Sequence, residues 1–298
     1  MAVTPRAAAT VILLRETRTN SQSKSFEVFL LKRHQKSAFM GGNYVYPGGT
    51  VDPKDLDKEI ISCCRQTDSQ SELSGYRIAA IRELFEEAGV LLACDDKGNL
   101  FRPPDDSAQA RISQYREQLH KGEITLPELS RREQLFFDPA QLYFYAHWIT
   151  PEANPVRFDT RFFAARHPAG QEASPDFKET TDGIWISPRE ALDKNMEGTV
   201  PLSPPTLKTL EDVARFDTVE RFLDSLAGAE QKPFILPVAV KVREENVLIY
   251  PWDPEYEAYR LGKADETSLH GTISTPADNT TRLVFRKGLW LPYVKKSL

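Results

Sequence analysis

Residues Tyr76 to Gly89 read YRIAAIRELFEEAG, and this stretch decides the fold. Ile78, Ile81, Phe85 and Ala88 recur at helical spacing and make one apolar stripe. On another face Glu83, Glu86 and Glu87 stand at i, i+3 and i+4, which gathers three carboxylates. Like charges this close repel, and helix propensity does not ask for them. A hard divalent cation, Mg2+ or Mn2+, accounts for them because carboxylate oxygens are its preferred ligands. Taken alone, the three glutamates read equally well as a solvated acidic face.

The flanking residues add to this. Gly89 ends the helix where a left-handed residue is wanted. Tyr44-Val45-Tyr46 reads as a short strand that runs into Pro47-Gly48-Gly49, and a glycine pair there can bring bare backbone against a ligand or metal. The order is strand, Gly-Gly turn, irregular loop, acidic helix.

That arrangement resembles the signature of the Nudix hydrolases, G-x5-E-x7-R-E-U-x-E-E-x-G-U with U a bulky apolar residue. Arg82 to Val90, RELFEEAGV, matches the second half at every fixed position, and Gly49 matches the opening glycine. Asp55 stands where the first glutamate is expected. Between Asp55 and Arg82 the chain carries about nineteen residues beyond the consensus, mostly KEIISCCRQTDSQSELS. The resemblance implies an α+β Nudix fold, a mixed β-sheet sandwiched between helices. It implies that Glu83, Glu86 and Glu87 hold the cation with the backbone carbonyl of Gly48, and that Gly49 lies against the substrate. It also implies that Arg82 orients a carboxylate, although Arg82 alone reads as an ordinary surface ion pair. A further acid is expected from a late loop. Glu179 is the choice, because it precedes the Gly183-to-Ile186 strand, with Asp176 and Asp182 as competitors.

Other phrases resemble one Nudix branch, the coenzyme A diphosphatase-like group. They are AAATVILLRE, FEVFLLKRHQKSAFMGGNYVYPGGTVD, WITPEANPVRFDTRFFAARHPAGQ, WISPREAL and LSPPT, across roughly the first 210 residues, with YPWDPEY and TRLVFRKGLW in the tail. The branch implies a divalent-metal-dependent hydrolase that cleaves the phosphoanhydride of a nucleoside diphosphate derivative, with coenzyme A or an acyl-coenzyme A as the leading substrate class. ADP-ribose, nucleotide sugars and dinucleotides are the alternatives. Because Asp55 departs from the signature, a non-catalytic ligand-binding or regulatory module also stays open.

Along the chain, Arg6 to Arg15, Phe26 to Arg33, Val90 to Ala93, Leu142 to Ile149 and Val156 to Ala165 read as strands, and Thr206 to Leu226 as a helix. Arg33 at a strand end and Arg157 are candidates to face a substrate phosphate; each reads equally as surface charge or a structural pair. The pattern divides into a hydrolase domain over 1–230, with the signature at 49–90, and a β-rich extension over 231–298. A helical insertion at about 105–135, split by Gly122 and Pro127, reads as a cap that shapes the substrate pocket. The aromatics of the extension read as core or as an oligomer contact, which leaves a homodimer open.

Composition excludes several classes. A net charge of −5 gives no general basic surface for nucleic acid, so attraction to a small-molecule diphosphate substrate must be local. No apolar run is long enough to span a bilayer. Cys63, Cys64 and Cys94 fit neither zinc spacing nor a disulfide framework, and adjacent Cys63 and Cys64 read as packing residues. The closing Lys-Ser-Leu is not the peroxisomal Ser-Lys-Leu address. The expectation is a cytoplasmic protein.

Overall fold

The computed structural model describes residues 3–17, 25–37, 40–65, 72–228, 231–264, 272–273 and 279–294. Residues 18–24, whose polar, serine-rich sequence reads as a loop, the polar part of the insertion at 66–71 and the closing Lys-Ser-Leu lie outside these residues.

The fold is built on β1, Arg6–Thr17, whose AAATVILL run is apolar apart from Thr10 because both of its faces are covered. Ala9, Val11 and Leu13 enter one core, and Ile12 and Leu14 enter the other. Its neighbour β2, Ser25–Arg33, divides the same way, Phe29 and Leu31 against Val28 and Leu30. β8, Phe158–Arg166, runs parallel to β1 from Arg6↔Phe158 to Leu14↔Arg166. β7, Tyr143–Ile149, lies antiparallel to β8, and β10, Phe234–Ile235, pairs parallel to β7. At the other edge β3, Tyr44–Val45, and β9, Thr180–Ile186, both pair antiparallel with β2. β4, Gly48–Thr50, pairs with the start of β1. Together these form a mixed eight-stranded sheet, with a two-stranded pair of β5, Ala93–Cys94, and β6, Phe136–Phe137, beside it.

Helices cover both faces, as expected. Over the first core lie α2, Ser74–Ala88, α3, Asp106–His120, and α4, Leu126–Glu133. Over the second lie α5, Pro188–Glu197, α6, Pro204–Val213, and α7, Val219–Leu226. The segment after Asp52 forms a 3-10 turn, Pro53–Leu56, and a short α1, Lys58–Ser62. The single helix expected over Thr206 to Leu226 is two. α6 stops at Val213, and the Thr218 hydroxyl accepts from the Arg221 N–H to start α7. Apolar residues continue through the break, so periodicity does not reveal it. All three cysteines are free, and burial pushes the Cys64 thiol up to about 12, which suits packing rather than redox chemistry.

The C-terminal segment folds into a five-stranded antiparallel sheet. Its order is β11, Val238–Val242, β12, Glu245–Ile249, β14, Arg282–Arg286, β15, Leu289–Val294, and β13, Thr272–Ile273, with α8, Tyr256–Arg260, packed beside it. Leu248, Tyr250 and Leu283 belong to the second core of the main sheet, so the extension shares that core. Arg282, 0% exposed, donates from Nε and Nη2 to both oxygens of Asp253 at 2.8 and 2.6 Å. A buried guanidinium is tolerable only with its hydrogen bonds satisfied in this way. No helix among the described residues is long and apolar enough to cross a membrane.

Candidate active site

The acidic helix sits where the sequence requires it. The apolar stripe of α2, with Leu84 added, is buried against β1 and fixes the rotation of the helix. Gly89 caps it in the left-handed conformation at φ 71°, its N–H donating to the Phe85 carbonyl at 2.9 Å. That rotation turns Glu83 and Glu87 toward β4. The register Ala9↔Gly49 and Thr10↔Gly48 brings the glycine pair flat against β1. A Cβ on Gly48 would stand 2.4 Å from the Ala9 carbonyl oxygen, and one on Gly49 would stand 2.4 Å from Glu83 Oε1. A side chain at Gly49 would displace that carboxylate from where it stands. The Gly48 N–H donates to Glu87 Oε2 at 2.7 Å.

Arg82 organises the acids. Nε and Nη2 donate to Oδ1 and Oδ2 of Asp55, both at 2.9 Å, and Nη2 also reaches the Thr50 carbonyl at 2.8 Å. Nη1 donates to Glu83 Oε1 at 2.8 Å and to Glu86 Oε2 at 3.1 Å. Asp55, 3% exposed, also accepts from the Asp52 N–H at 2.8 Å, which closes the 3-10 turn. The shorter acid at this position is therefore delivered by the turn that opens the insertion. From the opposite side α3 clamps the end of the helix: Arg116 Nε and His120 Nε2 both lie 2.8 Å from the Glu86 carbonyl oxygen.

Burial makes these carboxylates reluctant to ionise. It pushes Glu83 up to about 7 against the pull of Arg82, and it raises Glu86 as well. Glu87 is held well above the carboxylate range by burial and then by its neighbour Glu83, although the Gly48 N–H and Arg33 work the other way. For Arg82 burial opposes the charge, but the Asp55 hydrogen bond and the surrounding carboxylates outweigh it and hold the proton more firmly than usual.

Glu83, Glu87, Gly48 and Gly49 stand on the wall of a cavity of about 690 Å³. Arg33 and Glu179 are on the same wall. Arg33 comes from the bulge at the end of β2, and its Nε is buried without a hydrogen-bond partner. Glu179 precedes β9 and pairs through its backbone carbonyl with the His34 N–H at 3.0 Å. The competitors are engaged elsewhere. Asp176 accepts from the Thr180 hydroxyl at 2.6 Å and from three backbone N–H groups, and Asp182 accepts from the Tyr44 hydroxyl at 3.0 Å.

Two expectations are corrected. Arg157 does not reach the cavity. It is buried, with Nε donating to the Thr150 carbonyl at 3.0 Å and Nη1 to the Val3 carbonyl at 2.7 Å, so it ties the chain ends of β1 and β8 together. The helical insertion does not wall this cavity either. α3 and α4 lie beside α2 over the first core, where α3 braces the helix, and neither contributes a residue to the cavity. The wall comes instead from β11, β12 and β15 of the C-terminal sheet. Sequence reasoning missed this role, since the aromatics of the extension read there as core or as an oligomer contact; the signal lies in the strand segments VAVKV and NVLIY.

The donor set fits a divalent cation. Glu83 and Glu87 are buried acids, side by side on one cavity wall, and their charge is undercompensated. Among the described residues no three acidic, histidine or cysteine side chains stand in ligating geometry, and Arg82 engages Glu83 and Glu86 while the Gly48 N–H engages Glu87.

The family profile described as the NUDT19 Nudix domain matches residues 65–215. The putative nudix hydrolase 7 of Caenorhabditis elegans is 30% identical over 288 residues, which covers 93% of this chain and 81% of that protein. The crystal structure of a NUDIX hydrolase from Alicyclobacillus acidocaldarius superposes with a TM-score of 0.59 at 26% identity, covering 76% of this chain and 98% of the other. The chain belongs to the Nudix hydrolase family and is an enzyme of that class. Within the family it resembles the coenzyme A diphosphatase branch: the acyl-coenzyme A diphosphatase NUDT19 of Xenopus laevis is 26% identical over 280 residues, 79% of this chain and 73% of that protein. Nudix hydrolases generally use divalent metals.

Proposed function

We propose that this enzyme hydrolyses the diphosphate linkage of coenzyme A and acyl-coenzyme A with Mg2+ or Mn2+. One observation carries the reading beyond the family. The buried acids and Arg33 occupy one part of a cavity whose other walls include Trp148, Phe162, Leu248 and Trp290. A diphosphate joined through a pantetheine arm to an apolar acyl chain matches that division. The relatives named as acyl-coenzyme A diphosphatases support the same substrate class.

A bound Mg2+ or Mn2+ would neutralise phosphate oxygens and make a water more acidic. Glu83, Glu86 and Glu87 would hold it, with the Gly48 carbonyl. Arg82 keeps Glu83 and Glu86 in place through Nη1 and is itself anchored on Asp55. Arg33 faces a substrate phosphate, Gly49 lets the substrate approach bare backbone, and Glu179 is placed to take a proton from the attacking water. Water adds to one phosphorus, the bridging phosphoanhydride oxygen leaves with the other, and coenzyme A gives adenosine 3′,5′-bisphosphate and 4′-phosphopantetheine. The hydrolase domain over 1–230 supplies the chemistry on this reading, and the 231–298 extension completes the pocket.

The test is a product assay on coenzyme A, acyl-coenzyme A, ADP-ribose, a nucleotide sugar and a dinucleotide, each with Mg2+ and with Mn2+. Preferential cleavage of the coenzyme A compounds supports the reading. Efficient cleavage of ADP-ribose, the sugar or the dinucleotide alone assigns the enzyme to another substrate class.

A further inference from the structure

The C-terminal sheet presents the cavity with Ala239 and Leu248, which are register partners on β11 and β12, and with Trp290 on β15. These three pack on the second core of the main sheet, alongside Trp148. Together they make an apolar slot, while the polar atoms of Tyr46 and Trp148, which also line the cavity, are buried in the packing behind it. An acyl chain is the apolar part of an acyl-coenzyme A, and laying it against this slot removes apolar surface from water. The slot is continuous with the wall that carries Glu83, Glu87 and Arg33, so the arm and the diphosphate are accommodated in one cavity.

We propose that the C-terminal sheet is the specificity element of the enzyme: Ala239, Leu248 and Trp290 receive the acyl end of the substrate. This rests on the coenzyme A reading above and deepens it. The sheet decides which acyl chains are accepted and leaves the chemistry to the acidic helix.

Two variants outside the catalytic machinery test it, with thermal melts confirming that each is folded. Ala239→Leu adds bulk to the slot, and Trp290→Ala removes it. The readout is kcat/KM for coenzyme A and for its acetyl, octanoyl and palmitoyl esters. Ala239→Leu lowers kcat/KM for the octanoyl and palmitoyl esters roughly tenfold more than for coenzyme A, since a few methylenes in an apolar pocket discriminate by that order. Trp290→Ala shifts the preference toward longer chains, and either folded variant suffices for the test. Equal losses on every substrate, or none on any, overturn the proposal. If the unaltered enzyme cleaves no coenzyme A compound, the substrate reading fails. The sheet's role is then decided by direct binding of S-octanoyl-pantetheine, which has no diphosphate. Binding that the variants alter sustains the acyl-binding wall, and no binding to the unaltered enzyme overturns it.

Discussion

Arg82 grips Asp55 through two parallel hydrogen bonds, Nε to Oδ1 and Nη2 to Oδ2, both 2.9 Å long. This pair joins the turn before the insertion to the acidic helix, and it frees Nη1 to hold Glu83 and Glu86. Asp55→Ala leaves a mostly buried guanidinium without its main partner. The expected cost is about 3 kcal/mol of stability, read from urea unfolding. Turnover falls by about tenfold or more because the helix acids lose their orienting contact. Unchanged turnover and an unchanged unfolding midpoint would show that the pair is incidental.

Glu86→Gln and Glu87→Gln remove charge while keeping shape. Each slows turnover on the order of a hundredfold or more, since metal stabilisation of the transition state is worth several kcal/mol. The fold survives, because neither change opens a cavity. Excess chelator abolishes activity in the unaltered enzyme, and Mg2+ or Mn2+ restores it. Steady-state rates at saturating metal, with circular dichroism on the same samples, check both halves.

Much of this site is legible in the sequence. RELFEEAGV carries the helix, its C-terminal glycine and its acids in one short window, because helix periodicity and capping are local. Gly48 and Gly49 are legible as a close backbone approach, although the atoms they approach, Ala9, Thr10 and Glu83, come from distant parts of the chain. Glu179 is preferred from its position, and it lies on the cavity wall whereas Asp176 and Asp182 are used in local hydrogen bonds. Arg157 is not legible. Nothing in VRFDTRFF says that its guanidinium reaches the Thr150 and Val3 carbonyls, since Val3 lies 154 residues away. The placement of the helical insertion fails for a similar reason: amphipathic helices announce a buried face but not which side of the sheet they cover.

The two arginines separate in a simple experiment. Arg33→Gln removes a cation from the cavity wall and raises KM roughly tenfold, the value of one charge-assisted contact to phosphate. Arg157→Ala leaves KM unchanged and destabilises the fold by about 1–3 kcal/mol, because two carbonyls lose their donors. KM and the thermal midpoint of each variant, measured together, check the assignment.

Glu211 gives a pH prediction away from the site. Burial pushes its carboxyl from 4.5 up to about 7, opposed by the Thr280 hydroxyl and by Lys208. The folded state therefore keeps a proton that the unfolded state releases. This contribution to stability is fully present below the ordinary carboxylate range and is lost as pH rises through about 7. Glu211→Gln cannot ionise. Relative to the unaltered protein it gains roughly 2 kcal/mol between about pH 5 and pH 8, as denaturant unfolding at the two pH values would record. A difference that stays constant with pH would contradict the shift.

The central claim is that the acidic helix cuts a diphosphate in a coenzyme A compound. The most direct measurement is mass-spectrometric identification of the products from octanoyl-coenzyme A with Mg2+ or Mn2+, run beside ADP-ribose. The account predicts adenosine 3′,5′-bisphosphate and octanoyl-4′-phosphopantetheine, both absent when Glu87 is replaced by Gln. Intact octanoyl-coenzyme A alongside rapid cleavage of ADP-ribose would contradict it.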